Sequence, residues 1–390
     1  MSKRKKINPV TTRNSVKLLR GGKPYFDCLL QLIANARDTI HVQVYIYGSD
    51  QTGRLVAEAL KAAVKRGVNV FLLVDGYEAR MMSRALINEL IQAGIQFRSF
   101  NPLFKSRYFY FGRRLHQKVI TVDATYALVG GINIADRYND LPDDPAWLDF
   151  AIYMEGEIAK ELCILCWKTW NNYLAVNEFG TCQPAETLAI EQLPQCNVVM
   201  RRNDWVRRKN EISATYIEML RYSTKEVILL CSYFLPGHII RKQLSFARER
   251  GTRIKVVTAG ISDIPVSKNA EKYMYDWLLR NDIEIYEYQK GVLHGKIAVC
   301  DGKWMTIGSY NINNISAYAS IELNINVHND AFAGETQKIL QDIIDDDCVR
   351  VTRENHAKAK NLYNQFVRWL SYSFIRVVIY IFTFYYRRRE

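Results

Sequence analysis

One short pattern occurs twice in this chain. The first copy is His116-x-Lys118-x4-Asp123, in LHQKVITVD, and the second is His294-x-Lys296-x4-Asp301, in LHGKIAVCD. After the same interval each Asp is followed by a glycine-led stretch ending in asparagine: Gly130-Gly131-Ile132-Asn133 and Gly308-Ser309-Tyr310-Asn311. A single copy arises by chance in roughly a few per cent of chains this long, on ordinary residue frequencies. Two copies with the same downstream offset are not accidental, so the chain has to fold as two versions of one design. Each motif opens an otherwise apolar strand. Strand side chains alternate faces, which predicts that His116 lies beside Lys118 and His294 beside Lys296. Such a pair is costly near a core unless something anionic sits between.

The flanking sequence repeats in the same order. YFDCLLQLIANARDTIHVQVYIYGSD reads as a helix over about 25–36 and a buried strand over about 39–46. TGRLVAEALKAAVKRG is a helix stopped at Gly67, with Lys65 and Arg66 in its last turn. A strand, a helix stopped at Gly94 and another strand lead to His116. ISATYIEMLRYSTKEVILLCSYFLP, HIIRKQLSFARERG, TRIKVVTAG and KNAEKYMYDWLLRNDIEIYEY lead in the same sequence to His294. Helices alternating with short apolar strands predict an α/β fold with a largely parallel or mixed sheet covered on both faces. The 390 residues suffice for two cores. The expected division is a basic segment at 1–24, a first domain at 25–176, a linker at 177–200, a second domain at 201–350 and a tail at 351–390. A pseudo-two-fold arrangement of the two domains brings both His-Lys faces into one cleft.

These motifs resemble the phospholipase D superfamily, whose members carry two His-x-Lys-x4-Asp motifs. The resemblance covers roughly residues 25–330 and is strongest to the bacterial cardiolipin synthases, through phrases such as YIYGSDQTGRLVAEALKAAVKRGVNVFLLVDG, GGINIADRY and WLDFAIYMEG. It implies two tandem phospholipase D-like α/β sandwich domains and a phosphatidyl transfer through a covalent phosphohistidine. It makes His116 the nucleophile and His294 the acid for the leaving alcohol and then the base for the incoming one, with the reverse left open. Lys118, Lys296, Asn133 and Asn311 would hold the phosphoryl oxygens. The family supplies a carboxylate about thirty residues after each histidine to orient it, here Asp149 and Glu322. Asp123 and Asp301 belong to the motifs but are usually tied into nearby backbone. Neither a metal nor another cofactor is expected. The chain departs from the cardiolipin synthases at Ile315, where arginine is common, and at Ser320, where asparagine is common.

A net charge of +13 favours an anionic partner. Arg113-Arg114, just upstream of His116, could attract a second phosphate or be a solvated loop. Most of the eight cysteines sit in apolar patterns, and they read as free thiols of a reducing compartment, with Cys163 and Cys166 packed in a helix. Basic Lys3–Lys6 is followed by no apolar stretch, so no secretory signal is expected. LYNQFVRWLSYSFIRVVIYIFTFYYRRRE is aromatic and basic, but Arg376 leaves too short an apolar run for a span, which predicts an interfacial helix. The resemblance places the protein at the cytoplasmic face of a bacterial cell membrane, peripheral or monotopic through this tail. The expected partners are anionic phospholipids, phosphatidylglycerol and a second phospholipid donor, together with the membrane surface; nucleic acid is not expected. The expected activity is cardiolipin formation. Lipid phosphodiester hydrolysis is the alternative, followed by a nuclease or a non-catalytic scaffold.

Overall fold

The computed structural model describes residues 9–102, 113–173, 182–183, 193–358 and 361–387. The first repeat runs β1 (Thr11–Arg20), α1 (Lys23–Asn35), β2 (Thr39–Val44), α2 (Gln51–Lys65), β3 (Asn69–Asp75), α3 (Arg84–Gln92), β4 (Gln96–Phe100), β5 (Arg114–Leu115), β6 (Lys118–Val122), β7 (Tyr126–Gly130), β8 (Phe150–Gly156) and α4 (Glu157–Trp170). The second runs β9 (Gln195–Asp204), β10 (Lys209–Asn210), α5 (Glu211–Tyr222), β11 (Glu226–Cys231), α6 (His238–Glu249), β12 (Arg253–Ile261), α7 (Pro265–Arg280), β13 (Glu284–Val292), β14 (Lys296–Cys300), β15 (Trp304–Gly308), α8 (Asn314–Tyr318), β16 (Ser320–His328) and α9 (Asp330–Asp347). β17 (Cys348–Val351), α10 (Arg353–Lys358) and α11 (Leu362–Arg387) follow.

Local chemistry explains the elements. Asp50 caps α2 by accepting the Gly53 N–H, and the apolar face Val56, Ala57, Leu60 and Ala63 turns inward. Gly67, at φ +93°, ends it in a conformation that costs glycine little. β2 and β6 are buried on both faces: Ile40, Val42 and Val44 of β2 alternate with buried His41 and Gln43, and β6 buries Val119, Ile120 and Val122 behind Lys118.

The sheets are mixed and equivalent. One has the order β1–β8–β7–β6–β2–β3–β4, with β2, β3 and β4 parallel and the rest antiparallel. The other has β9–β16–β15–β14–β11–β12–β13, extended by β17. β1 also pairs with β9, through Thr11 and Val198, so the sheets are stitched together. One apolar core is common to both: Val119, Val129, Phe150 and Ile152 from the first repeat pack with Ile228, Leu230, Ile297 and Leu323 from the second. Each sheet keeps a further core of its own under its helices.

Three expectations change. Residues 11–20, assigned to the basic segment, form a sheet strand. The alternation of TTRNSVKLLR buries only Thr11, Asn14 and Leu19, which hid the strand. β9 likewise begins inside the expected linker, of which residues 177–181 and 184–192 lie outside the described residues, as do Lys3–Lys6. Third, Cys163 is not a free thiol. It forms a disulfide with Cys182, Cα–Cα 5.7 Å, in a small apolar cluster with Ala124. Neither cysteine's spacing could reveal the pairing. The other six cysteines are free.

Candidate active site

Both histidines stand just before a strand, not within it. His116 precedes β6 and His294 precedes β14. Each is fixed by the other repeat. The N–H groups of His116 and Gln117 donate to the Ile321 carbonyl at 3.1 and 2.9 Å. The next residue after that carbonyl is Glu322, whose carboxylate receives His116 Nδ1 at 2.9 Å. In the same way His294 and Gly295 donate to the Leu148 carbonyl at 2.8 and 3.0 Å, and the next residue, Asp149, receives His294 Nδ1 at 2.7 Å. The carboxylates therefore serve the histidine of the opposite repeat. Sequence spacing suggested the same repeat for each, because the distance along the chain is similar in both.

A carboxylate only accepts, so each Nδ1 carries the hydrogen and each Nε2 is left for a substrate. Burial lowers the pKa of His294 to about 4, with Lys296 adding to the effect and Asp149 opposing it. Burial also lowers that of His116, against the pull of Glu322. Burial alone would raise the two carboxylates. At Asp149 the contacts of His294, the charge of Lys296 and the Phe150 N–H together outweigh it, and at Glu322 those of His116, Lys118 and Ser309 do, so both carboxyls stay below their ordinary values. The resting site thus holds two neutral imidazoles on two anions.

Lys118 and Lys296 are almost fully buried, and each ammonium donates to the carbonyl of its neighbouring histidine. Burial lowers Lys118 to about 7 and lowers Lys296 too. Each lysine's charge reaches the histidine of the other motif, so the motifs share one cleft. The asparagines differ. Asn133 is committed at both ends, accepting the Ile46 N–H and donating to the Tyr138 hydroxyl. Asn311 Oδ1 accepts from the Ser232 hydroxyl at 2.9 Å. Asp123 and Asp301 lie at the far ends of β6 and β14. Asp123 accepts the N–H groups of Arg37, Asp38 and Thr39, and Asp301 those of Thr224, Lys225 and Glu226. Both tie a helix-to-strand turn to the motif strand. Among the described residues no His/Cys/Asp/Glu group could hold a metal.

A family profile described as "Cardiolipin synthase, PLD-like domain" matches residues 29–151 and again 216–344. The chain belongs to that family. Cardiolipin synthase B of Shigella flexneri is 30% identical over 376 residues, 93% of this chain and 88% of that protein. The protein of the same name from Escherichia coli K12 gives the same figures. Among solved structures, a phosphatidylserine synthase from Haemophilus influenzae superposes with a TM-score of 0.73 over 96% of this chain and 97% of its own, at 14% identity. A polyphosphate kinase from Porphyromonas gingivalis reaches 0.59 over 94% of this chain and 53% of its own, at 16% identity. At such identities the likeness establishes the fold.

Several residues of this cardiolipin synthase-family cleft are not singled out as site residues by the sequence. Ser309 and Ser320 both donate to Glu322, so Ser320 grips the carboxylate from the position where asparagine is common. Tyr45 lies edge-on to His116 at 5.1 Å, with Lys118 5.3 Å from its ring. Tyr138 and Trp147 stand 5.3 and 6.1 Å from His294. Aromatic residues look like core in sequence, and only GGINIADRY and WLDF, quoted above, hinted at these two. Arg113, one of the pair read either as a contact for a second phosphate or as a solvated loop, is held by Asp204 at 2.8 Å, and Arg114 lies 3.5 Å from buried Asp75.

Proposed function

We propose that this chain is a phosphatidyltransferase that makes cardiolipin from phosphatidylglycerol and a phospholipid donor through a covalent phosphohistidine. The observation that supports it best is the crossed pair of His–carboxylate units in one cleft, with two buried lysines between them. His116 Nε2 attacks the donor phosphorus, the bond to the headgroup oxygen breaks, and His294 gives that oxygen a proton. His294 then takes the proton from a hydroxyl of phosphatidylglycerol. That oxygen attacks phosphorus and the P–N bond breaks, which restores His116. Burial first and lysine charge second depress His294; the anionic phosphodiester offsets the lysine charge, so the proton is taken up with the substrate. Lys118, Lys296 and Asn311 stabilise the phosphoryl oxygens, while Asn133 ties the loop after β7 to Ile46 and to Tyr138 beside His294.

The tail supports attachment at the membrane surface. α11 packs against α7 and α8, with Tyr372 stacked on Tyr273 at 4.7 Å. Its outer side leaves Phe366, Trp369, Leu370, Phe374, Val377 and Ile381 exposed, a stripe at helical spacing. No helix among the described residues is long and apolar enough to cross a membrane. We assign the protein to the cytoplasmic face of a bacterial membrane through this stripe. In this reading α11 docks on the domain by one side and offers the other to the bilayer.

Purified protein incubated with phosphatidylglycerol vesicles in EDTA tests the reading by lipid mass spectrometry. Cardiolipin and glycerol from the wild type, and neither from His116→Ala or His294→Ala, are expected. Phosphatidic acid in place of cardiolipin would mean that water wins and the protein is a phospholipase.

A further inference from the structure

The cleft offers the transferring phosphate two lysines, but the reaction proposed above involves a second phosphate. The acceptor glycerol already carries one when its free hydroxyl is attacked. With that hydroxyl at His294 Nε2, three carbons place the acceptor's own phosphodiester outside the lysine pair, at the mouth of the cleft. Arg113 and Arg114 are not available there, since Asp204 and Asp75 hold them.

Arg137 stands at that mouth. It is exposed, and among the described residues it makes no ion pair. Its guanidinium lies 5.5 Å from the ring of Tyr138 and 5.1 Å from that of Trp147, the two rings that flank His294. The shelf of rings fixes the cation one side chain away from the imidazole. Tyr233, whose hydroxyl donates to Asp263 at 2.6 Å, faces it from the second repeat, close enough for the charge of Arg137 to act on the phenol. Glu78, also within reach of that charge, belongs to the His116 side, where it bonds to Tyr45.

We propose that Arg137, held on Tyr138 and Trp147, is the acceptor-phosphate contact that makes the protein prefer a phospholipid hydroxyl to water or free glycerol. The proposal rests on the cardiolipin-forming reading. A guanidinium suits the task because it meets two phosphate oxygens at once and stays charged at any working pH.

Competition between two acceptors tests it. Phosphatidylglycerol vesicles are supplied with deuterated free glycerol, and mass spectrometry follows both products of the phosphohistidine. Transfer to lipid gives cardiolipin; transfer to free glycerol gives deuterated phosphatidylglycerol. Arg137→Gln is expected to lower the ratio of cardiolipin to deuterated phosphatidylglycerol by about tenfold or more, the size of one lost charge-assisted contact. Arg137→Lys restores part of the ratio. An unchanged ratio, or equal loss of both products, would overturn the proposal. A wild type that exchanges glycerol yet makes no cardiolipin would overturn the reading beneath it, and the acceptor site with it.

Discussion

His294 is held by Asp149, the shorter carboxylate, which fills the space a side chain at Gly131 would occupy and also receives the Phe150 N–H. His116 is held by Glu322, one methylene longer, and the residue equivalent to Gly131 is Ser309, which donates to it. After the histidine comes Gln117 in one repeat, buried and bonded to Gln43, and Gly295 in the other, where a side chain would meet Leu230 and Phe150. His294 is the more enclosed, with its side chain 9% exposed against 19% for His116. Backbone docking on the opposite repeat is the same in both and sets the geometry. The side chains around it differ, and they can give two like imidazoles unlike tasks.

The largest expected effect separates those tasks. With a phosphodiester whose leaving group is p-nitrophenolate, departure needs no proton. His294→Ala should then still release a burst of nitrophenolate, while losing about 10²–10⁴-fold on phosphatidylglycerol. His116→Ala should give no burst. A burst from His116→Ala and none from His294→Ala would exchange the two roles.

The crossed carboxylates come next. Glu322→Gln and Asp149→Asn should each cost roughly 10²-fold by disturbing the imidazole they orient. Glu322 should act like part of the His116 unit, slowing the burst itself, whereas Asp149→Asn should leave the burst and slow the natural lipid. If instead Glu322→Gln follows the His294 pattern, the partners are not crossed in solution.

The smallest effect concerns the lysines. Burial lowers Lys118 to about 7, and an ammonium is charged only below its pKa. In the free protein kcat/KM should therefore fall as pH rises through about 7, approaching tenfold per unit above it. Lys118→Arg stays charged and should remove that alkaline limb, at some cost in rate from the altered geometry. A limb that survives the substitution belongs to another group.

The duplicated motifs were legible because phosphoryl transfer fixes residue type and spacing together. Helix stops at Gly67 and Gly94 were legible because a positive φ favours glycine. The partnership of each carboxylate was not, since Asp149 and Glu322 lie at similar separations from their own motifs and only the fold crosses them. β1 escaped because a strand that buries three of ten side chains shows no run to read. Tyr45, Tyr138 and Trp147 escaped because an aromatic at a cleft and one in a core have the same letter. The Cys163–Cys182 bridge joins α4 to a cysteine 19 residues further on, a pairing that spacing does not encode.

The docking of each histidine on the opposite repeat has a consequence for synthesis. A ribosome delivers His116, Lys118 and their strand long before Glu322, 206 residues further on, exists to orient them. Until β16 is made, the first half lacks the Glu322 carboxylate and the Ile321 carbonyl that hold His116, and the common core lacks Leu323, Ile325 and Val327. Chains that stop short of β16 are therefore expected to lack an oriented His116, and activity to appear only once that strand is in place. The same dependence makes the His116 unit a reporter of complete folding, since a fragment that ends before β16 can hold His294 with Asp149 but leaves His116 without Glu322.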